Sequence, residues 1–289
     1  MTASLARESV TESPNPLGLD GLEFIEFATR QPQALGLVLE RMGFRPVARH
    51  RSREVMLYRQ GAMNLIINAN PDDALGVDDG PVISAFALRV RDAGAAYRMA
   101  IERGAWDVPM QAGPMELNIP AVRGPGGSRI YLVDRAKEFS IYDVDFTLIP
   151  TVDAHPAAVA DLRYFGIVQY IGRDRSYDWI EFYRELFGFE ELSEAERFGI
   201  LPKGTVLRSP CRSFFLQLIE PDPVTIAYDE QEMLRRIAFG APDVPGAVAQ
   251  LRERGVEFVE SDKVHTEARG ALTRSVLGSV SFELVHIEG

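Results

Sequence analysis

The sequence predicts an α+β protein made of four βαβββ units arranged as two domains. Three observations carry this. A β-like run, an amphipathic helix and a glycine between apolar residues follow one another four times, and self-similarity on that scale marks a repeated supersecondary unit. The helical stretches keep the 3.6-residue apolar period of a helix lying on a sheet. The 289 residues are long for one ordinary domain and sufficient for two.

Each element can be justified in turn. The first unit opens with Leu22-Glu23-Phe24-Ile25-Glu26-Phe27, a run rich in β-forming residues. A helix follows, to Met42-Gly43-Phe44, and then strands at residues 47–49, 55–58 and 63–67, with Gln60-Gly61-Ala62 as a turn. The second unit starts at Ala85-Phe86-Ala87-Leu88-Arg89-Val90 and its helix runs to Arg103-Gly104-Ala105. Strands at Leu117-Asn118-Ile119 and Ile130-Tyr131-Leu132-Val133 then flank Arg123-Gly124-Pro125-Gly126-Gly127, read as a tight hairpin because a strand follows it rather than the helix a phosphate loop needs. The third unit starts at Phe165-Gly166-Ile167-Val168-Gln169-Tyr170. Its helix carries Trp179, Phe182, Tyr183, Leu186 and Phe187 on one stripe and ends at Gly188, with strands at 205–207 and 214–218. The fourth has Ile237-Ala238-Phe239, a helix with Val244, Ala247, Val248 and Leu251 on one face, Arg254-Gly255-Val256, and strands at 273–277 and 281–286. Each glycine suits a left-handed helix C-cap. A βαβββ unit leaves one apolar sheet face bare, so two must pair, curving around a cavity. The expected organisation is a disordered lead-in over 1–16, a first domain over 17–150, a Pro/Ala/Asp link over 151–160 and a second domain over 161–289.

Composition narrows the function. The chain is 46% hydrophobic and 25% charged, with a net charge of -11. No basic stripe offsets that charge, which argues against a nucleic-acid partner; Arg49-His50-Arg51-Ser52-Arg53 reads as a solvated turn and strand edge. A single cysteine, Cys211, excludes an intramolecular disulfide and any CxxC metal site, and fits a reducing cytoplasm. No apolar run approaches the ~20 residues of a membrane span, and the first residues lack the order of a signal peptide. The expectation is a cytoplasmic protein with neither membrane nor nucleic-acid partners.

The candidate site centres on Ser281-Phe282-Glu283-Leu284-Val285-His286, which places one carboxylate in an apolar strand. Such a group costs several kcal/mol unless a proton or a positive charge meets it. His286, three residues on, points to the opposite strand face. Gln217 lies on a strand that can line the same cavity. Asp20, Glu23 and Glu26 have odd spacing that scatters them over both strand faces, and they read as surface or interface residues. Cys211, beside Pro210 and Arg212, has no histidine neighbour and is not read as a nucleophile.

Several longer stretches carry a family resemblance. These are Asn15-Pro16-Leu17-Gly18-Leu19-Asp20-Gly21-Leu22-Glu23-Phe24-Ile25-Glu26-Phe27-Ala28, Tyr58-Arg59-Gln60-Gly61, Asn64-Leu65-Ile66, Gly113-Pro114-Met115-Glu116-Leu117-Asn118-Ile119-Pro120-Ala121 and Ile141-Tyr142-Asp143-Val144-Asp145-Phe146. Together with the repeated units they resemble the vicinal oxygen chelate (glyoxalase-like) superfamily, and within it the bacterial 4-hydroxyphenylpyruvate dioxygenases of tyrosine catabolism. The resemblance implies two vicinal oxygen chelate domains. It implies a scaffold role for the N-terminal half and homodimerisation. In the C-terminal half it implies iron(II) held by two histidines and a glutamate, with open positions for a 2-oxo acid and O₂.

Carried over by position, the glutamate falls on Glu283, the second histidine on Arg236 and the first on Tyr164 or a neighbour. An arginine does not give up its proton to bind a metal. The stretch after Glu283 is also shorter than the family's. Of the histidines, His50 belongs to the N-terminal half, His155 to the link and His286 to the wrong face, while His265 is left to reach the cavity from its loop or strand.

Two readings of the position follow: a buried Arg236–Glu283 ion pair where the metal stood, or Arg236, with Arg235 or Arg163, binding a carboxylate ligand. The ligand-binding set is accordingly Arg236, Glu283, Tyr164 and Gln217, with no intact metal site. The expected function is a diverged binder of a small aromatic or 2-oxo acid without a cofactor. The alternative is an active iron(II)-dependent aryl 2-oxo acid dioxygenase, and a metal-free acid–base enzyme using Tyr164 and Glu283 is a third possibility.

Overall fold

The computed structural model describes residues 14–69, 80–109, 116–134, 140–193, 204–221, 232–260 and 270–288. The strand β1 (Leu19–Ala28), the helix α1 (Pro32–Arg41) and the strands β2 (Arg45–His50), β3 (Val55–Gln60) and β4 (Met63–Asn68) form the first unit. The second is β5 (Val82–Val90), α2 (Ala93–Glu102), β6 (Ala121–Arg123) and β7 (Arg129–Val133), trailed by α3 (Ile141–Asp145) and β8 (Phe146–Leu148). The third is β9 (Arg163–Tyr170), α4 (Ser176–Phe187), β10 (Glu190–Glu191), β11 (Thr205–Arg208) and β12 (Phe215–Ile219). The fourth is β13 (Met233–Ala241), α5 (Val244–Glu253), β14 (Gly270–Leu272) and β15 (Phe282–His286).

One pairing rule runs through all four. The opening strand pairs in parallel with the closing strand of its own unit: β1 with β4, β5 with β7, β9 with β12 and β13 with β15. Parallel neighbours need a crossover, and the helix supplies it. Opening strands of successive units then pair antiparallel, β1 with β5 and β9 with β13. In the second and fourth units the strand directly after the helix shrinks to single bridges, Asp107 to Val122 and Phe258 to Thr273.

The four glycines behind the helices, Gly43, Gly104, Gly188 and Gly255, all have positive φ, between 77° and 100°. Helices α1, α2, α4 and α5 pack on one side of the sheet over a core that includes Phe44, Phe86, Phe187 and Phe239. A smaller cluster, with Phe24, Val55, Ile66 and Phe146, lines the concave face of the N-terminal half.

The halves meet where β13 pairs with β5, at Leu234 opposite Ile83. Glu232 fastens this junction. Its carboxylate accepts from the Trp179 indole at 2.8 Å in one half and from the Gly126 amide at 3.3 Å in the other. The glycine-rich stretch is the hairpin loop expected, between the paired strands β6 and β7.

Two strands lie elsewhere than expected. Residues 117–119 are not a strand; Leu117 donates its amide to the Asp145 carboxylate at 3.0 Å, and pairing begins only past Pro120. In the last unit the strand is Gly270–Leu272, because Leu277 and Gly278, at φ 50° and 81°, turn the chain. No helix among the described residues is long and apolar enough to cross a membrane.

Candidate functional site

On the concave face of the C-terminal half, strand alternation sets two rows of side chains. Glu283, Ala238, Gly166 and Phe215 are neighbours on β15, β13, β9 and β12. Arg236, Val168 and Gln217 form the next row. Arg236 is therefore diagonal to Glu283 on the adjoining strand, within reach of a long side chain. The two are 4% and 3% exposed, with Arg236 Nε 3.9 Å from Glu283 Oε2. That is ion-pair distance and longer than a hydrogen bond, and among the described residues Arg236 Nε has no hydrogen-bond acceptor. Gln217, Phe165, Phe215, Val206 and Glu283 line the space beside the pair, a cavity of about 20 Å³. That holds about one water.

Tyr164 is not brought to this face. Ala238 pairs with Gly166, but Phe239 pairs with Tyr164, so Phe165 is an extra, bulged residue. The bulge sends Phe165 into the concave side, 4.9 Å from the Phe215 ring, and turns Tyr164 to the core, stacked 6.4 Å from Phe239. The Tyr164 hydroxyl donates to the Asn64 carbonyl of the other half, and burial raises its pKa well above the usual tyrosine value.

A second register shift falls at Arg235, which is half-buried, next to the buried Arg236. Arg163 is exposed and donates to the Glu288 carbonyl. His286 and His155 are exposed, and His265 lies outside the described residues. Cys211 packs against the core, and its thiol meets the hydroxyls of Ser209 and Ser213. Among the described residues no three His, Cys, Asp or Glu gather as a metal-binding group.

Glu23 and Glu26, expected at the surface or an interface, are buried within the chain, at 1% and 7% exposure. Strand β1 is flanked on both edges and covered on both faces, so side chains of either parity are inside. The Arg89 Nε donates to Glu23 at 2.7 Å. Glu26 accepts from the Ser84 hydroxyl at 3.0 Å and from Asn68 at 3.3 Å. Glu26 lies on the wall of a cavity of about 390 Å³ in the N-terminal half, with Phe24, His50, Arg129 and Tyr131. Burial lowers the His50 pKa, against the pull of Glu116 and Asp145, which raise it. Sequence reasoning expected a cavity within each pair of units but placed no candidate site residues in this one. Its available signals were a carboxylate on a strand with neighbours on both edges, and paired arginines on β6 and β7.

Paired βαβββ units with a concave face in each half define a protein of the vicinal oxygen chelate superfamily. Residues 13–147 match the model of the hydroxyphenylpyruvate dioxygenase N-terminal domain. A 4-hydroxyphenylpyruvate dioxygenase of Pseudomonas sp. (strain P.J. 874) is 44% identical over 182 residues, covering 62% of this chain and 51% of that enzyme. One from Pseudomonas aeruginosa is 32% identical over 282 residues, covering 90% and 78%. A solved xylose isomerase-like TIM barrel/4-hydroxyphenylpyruvate dioxygenase fusion protein superposes with a TM-score of 0.76 at 28% identity, over 98% of this chain and 52% of that one. The chain belongs to the 4-hydroxyphenylpyruvate dioxygenase family. It spans about half the length of the Pseudomonas sp. enzyme and of the fusion protein.

Proposed function

We propose that this family member does not run the iron(II)-dependent dioxygenase reaction and instead binds a small aromatic or 2-oxo acid. The observation that carries this is Arg236, buried 3.9 Å from Glu283. A guanidinium has no lone pair to give a metal and stays protonated. Set beside the one carboxylate suited to iron, it takes the place of the cation rather than assisting it. The neighbouring positions, Ala238, Gly166 and Phe165, offer no ligating side chain. The residues present therefore do not fit iron(II). The cavity of about 20 Å³ favours an ion pair over a carboxylate ligand at Arg236. Homodimerisation and a cytoplasmic location belong to the same proposal, resting on the family resemblance and on the single cysteine.

The identity to named dioxygenases favours a second reading, an active iron(II) enzyme acting on an aryl 2-oxo acid. Metal analysis of the full chain after anaerobic iron(II) loading and desalting separates the two. The expected result is no stoichiometric iron and no oxygen uptake with 4-hydroxyphenylpyruvate. One iron per chain, lost on Glu283→Ala, would establish the dioxygenase reading.

A further inference from the structure

The segment that enters each half lies across the other half. Residues 14–17 lead into β1 of the N-terminal half. They cross the third unit, in the C-terminal half, between the end of α4 and the turn from β11 to β12. At the helix end a Cβ on Gly188 would stand 2.7 Å from Pro16 Cδ and 2.8 Å from the Pro14 carbonyl oxygen. Toward the turn, a Cβ on Gly21 would stand 3.4 Å from the Ser213 hydroxyl. Leu17, between them, is 4% exposed in a core drawn from both halves.

The link does the same in the opposite sense. It leads into β9 of the C-terminal half and crosses the first unit. The Gly61 amide donates to the Pro156 carbonyl at 2.8 Å, and the Val159 amide to the Gln60 side-chain oxygen at 2.8 Å. Arg59 donates to the Ala154 carbonyl at 2.9 Å. A Cβ on Gly43 would stand 2.6 Å from Val159 Cγ2. Gln60 completes the seam by donating to the Met42 carbonyl, at the end of α1, at 2.9 Å. The link therefore runs between the end of α1 and the β3–β4 turn. That is the place in the first unit equivalent to the one residues 14–17 occupy in the third.

Both segments are held in shape. The Asn15 side chain accepts from the Leu19 amide at 2.7 Å and donates to the Leu19 carbonyl at 2.9 Å, which fixes the bend into β1. The link turns into β9 through Ala160 and Asp161, at φ 50° and 53°. Non-glycine residues adopt that backbone only where surrounding contacts impose it. Helix ends and hairpin turns are where a unit opens first, because their backbone groups are the least enclosed. In the first and third units those places are covered by the backbone that enters the opposite half.

We propose that these two segments form a reciprocal clasp. Residues 14–17 keep the third unit closed and residues 154–159 keep the first closed, so the opening-prone ends of each half are protected by the other. The clasp stands independently of what either concave face binds.

Amide hydrogen exchange of the whole protein, resolved by peptide, tests it. Removing residues 1–16 should speed exchange about tenfold over residues 183–189 and 209–214 and leave 42–44 and 60–63 unchanged. Val159→Gly in the link should do the reverse, speeding 42–44 and 60–63 about tenfold and leaving 183–189 and 209–214 unchanged. Pro14→Gly with Pro16→Gly, in the otherwise intact chain, repeats the first arm and decides it if the shortened chain fails to fold.

The crossed pattern is the expected result, and a general loss of stability does not produce it, because global opening speeds exchange at all four places together. Acceleration confined to the half that a segment leads into, equal acceleration at all four places, or none at any of them would each overturn the clasp.

Discussion

The two concave faces share one strand pairing and differ in how they neutralise an internal carboxylate. In the N-terminal half the partners of Glu26 include Ser84 and Asn68, and a cavity of about 390 Å³ stays beside it. In the C-terminal half Glu283 is met by a full charge from Arg236, and about 20 Å³ remains. The contrast follows from what each strand can offer. A carboxylate answered by short hydrogen-bonding side chains leaves room in front of it. Beside the carboxylate met by a guanidinium, Phe165 and Phe215, with rings 4.9 Å apart, line the small space that remains. The same topology therefore gives one open and one closed face, and the open one is in the half that the family resemblance treats as scaffold.

The change that breaks this comparison most sharply is removal of one member of the closed pair. Arg236→Ala leaves Glu283 buried beside a new void, and we expect a loss of about 3–5 kcal/mol in denaturant unfolding. Replacing both, as Arg236→Met with Glu283→Leu, should be neutral or stabilising by about 1–4 kcal/mol, because the desolvation of two charges is relieved together. A double variant as unstable as the single one would mean that the pair is not the electrostatic unit described here.

The pair was reached through the family resemblance, which set Arg236 at a histidine position beside Glu283; adjoining strands then bring the two within ion-pair distance. The four units were legible in the sequence itself. A 3.6-residue stripe closed by a glycine is a local pattern, and all four glycines have the positive φ it requires. What escaped was set by contacts distant in sequence. The Phe165 bulge that turns Tyr164 away arises from the register of β9 on β13. Glu23 and Glu26 read as surface or interface residues because their odd spacing scatters them over both faces of the strand. Strand β1 has β4 on one edge, β5 on the other and packing on both faces. Arg89, which pairs with Glu23, lies 66 residues away on a strand of the next unit.

The helix-ending glycines sharpen the comparison between units. A Cβ at Gly43 would lie 2.6 Å from Val159 Cγ2, and one at Gly188 would lie 2.7 Å from Pro16 Cδ and 2.8 Å from the Pro14 carbonyl. At Gly104 nothing lies within 4 Å, and at Gly255 only the Arg41 side chain does, at 4.0 Å. Alanine at 104 or 255 should then cost only the left-handed backbone strain, about 1 kcal/mol. At 43 or 188 the steric clash adds to it, for about 2–3 kcal/mol in total. Equal losses at all four positions by thermal melting would show that the neighbours of the first and third units yield freely.

The smallest effect separates the units along the same line. Helices α2 and α5 begin at Asp92 and Asp243, each accepting a hydrogen bond from the amide three residues on, Ala95 at 2.7 Å and Gly246 at 3.0 Å. Helices α1 and α4 begin at Gln31 and Arg175, neither of which makes a side-chain cap. Asp92→Ala and Asp243→Ala should each cost about 1 kcal/mol, the usual value for losing an N-cap. Gln31→Ala, at an exposed position with no cap bond to lose, should stay within about 0.5 kcal/mol. Because each pair of units occupies equivalent places in the two halves, the two aspartate variants should lose the same amount. A larger loss at Asp243 than at Asp92 would show that the closed half depends on its helix more than the open half does.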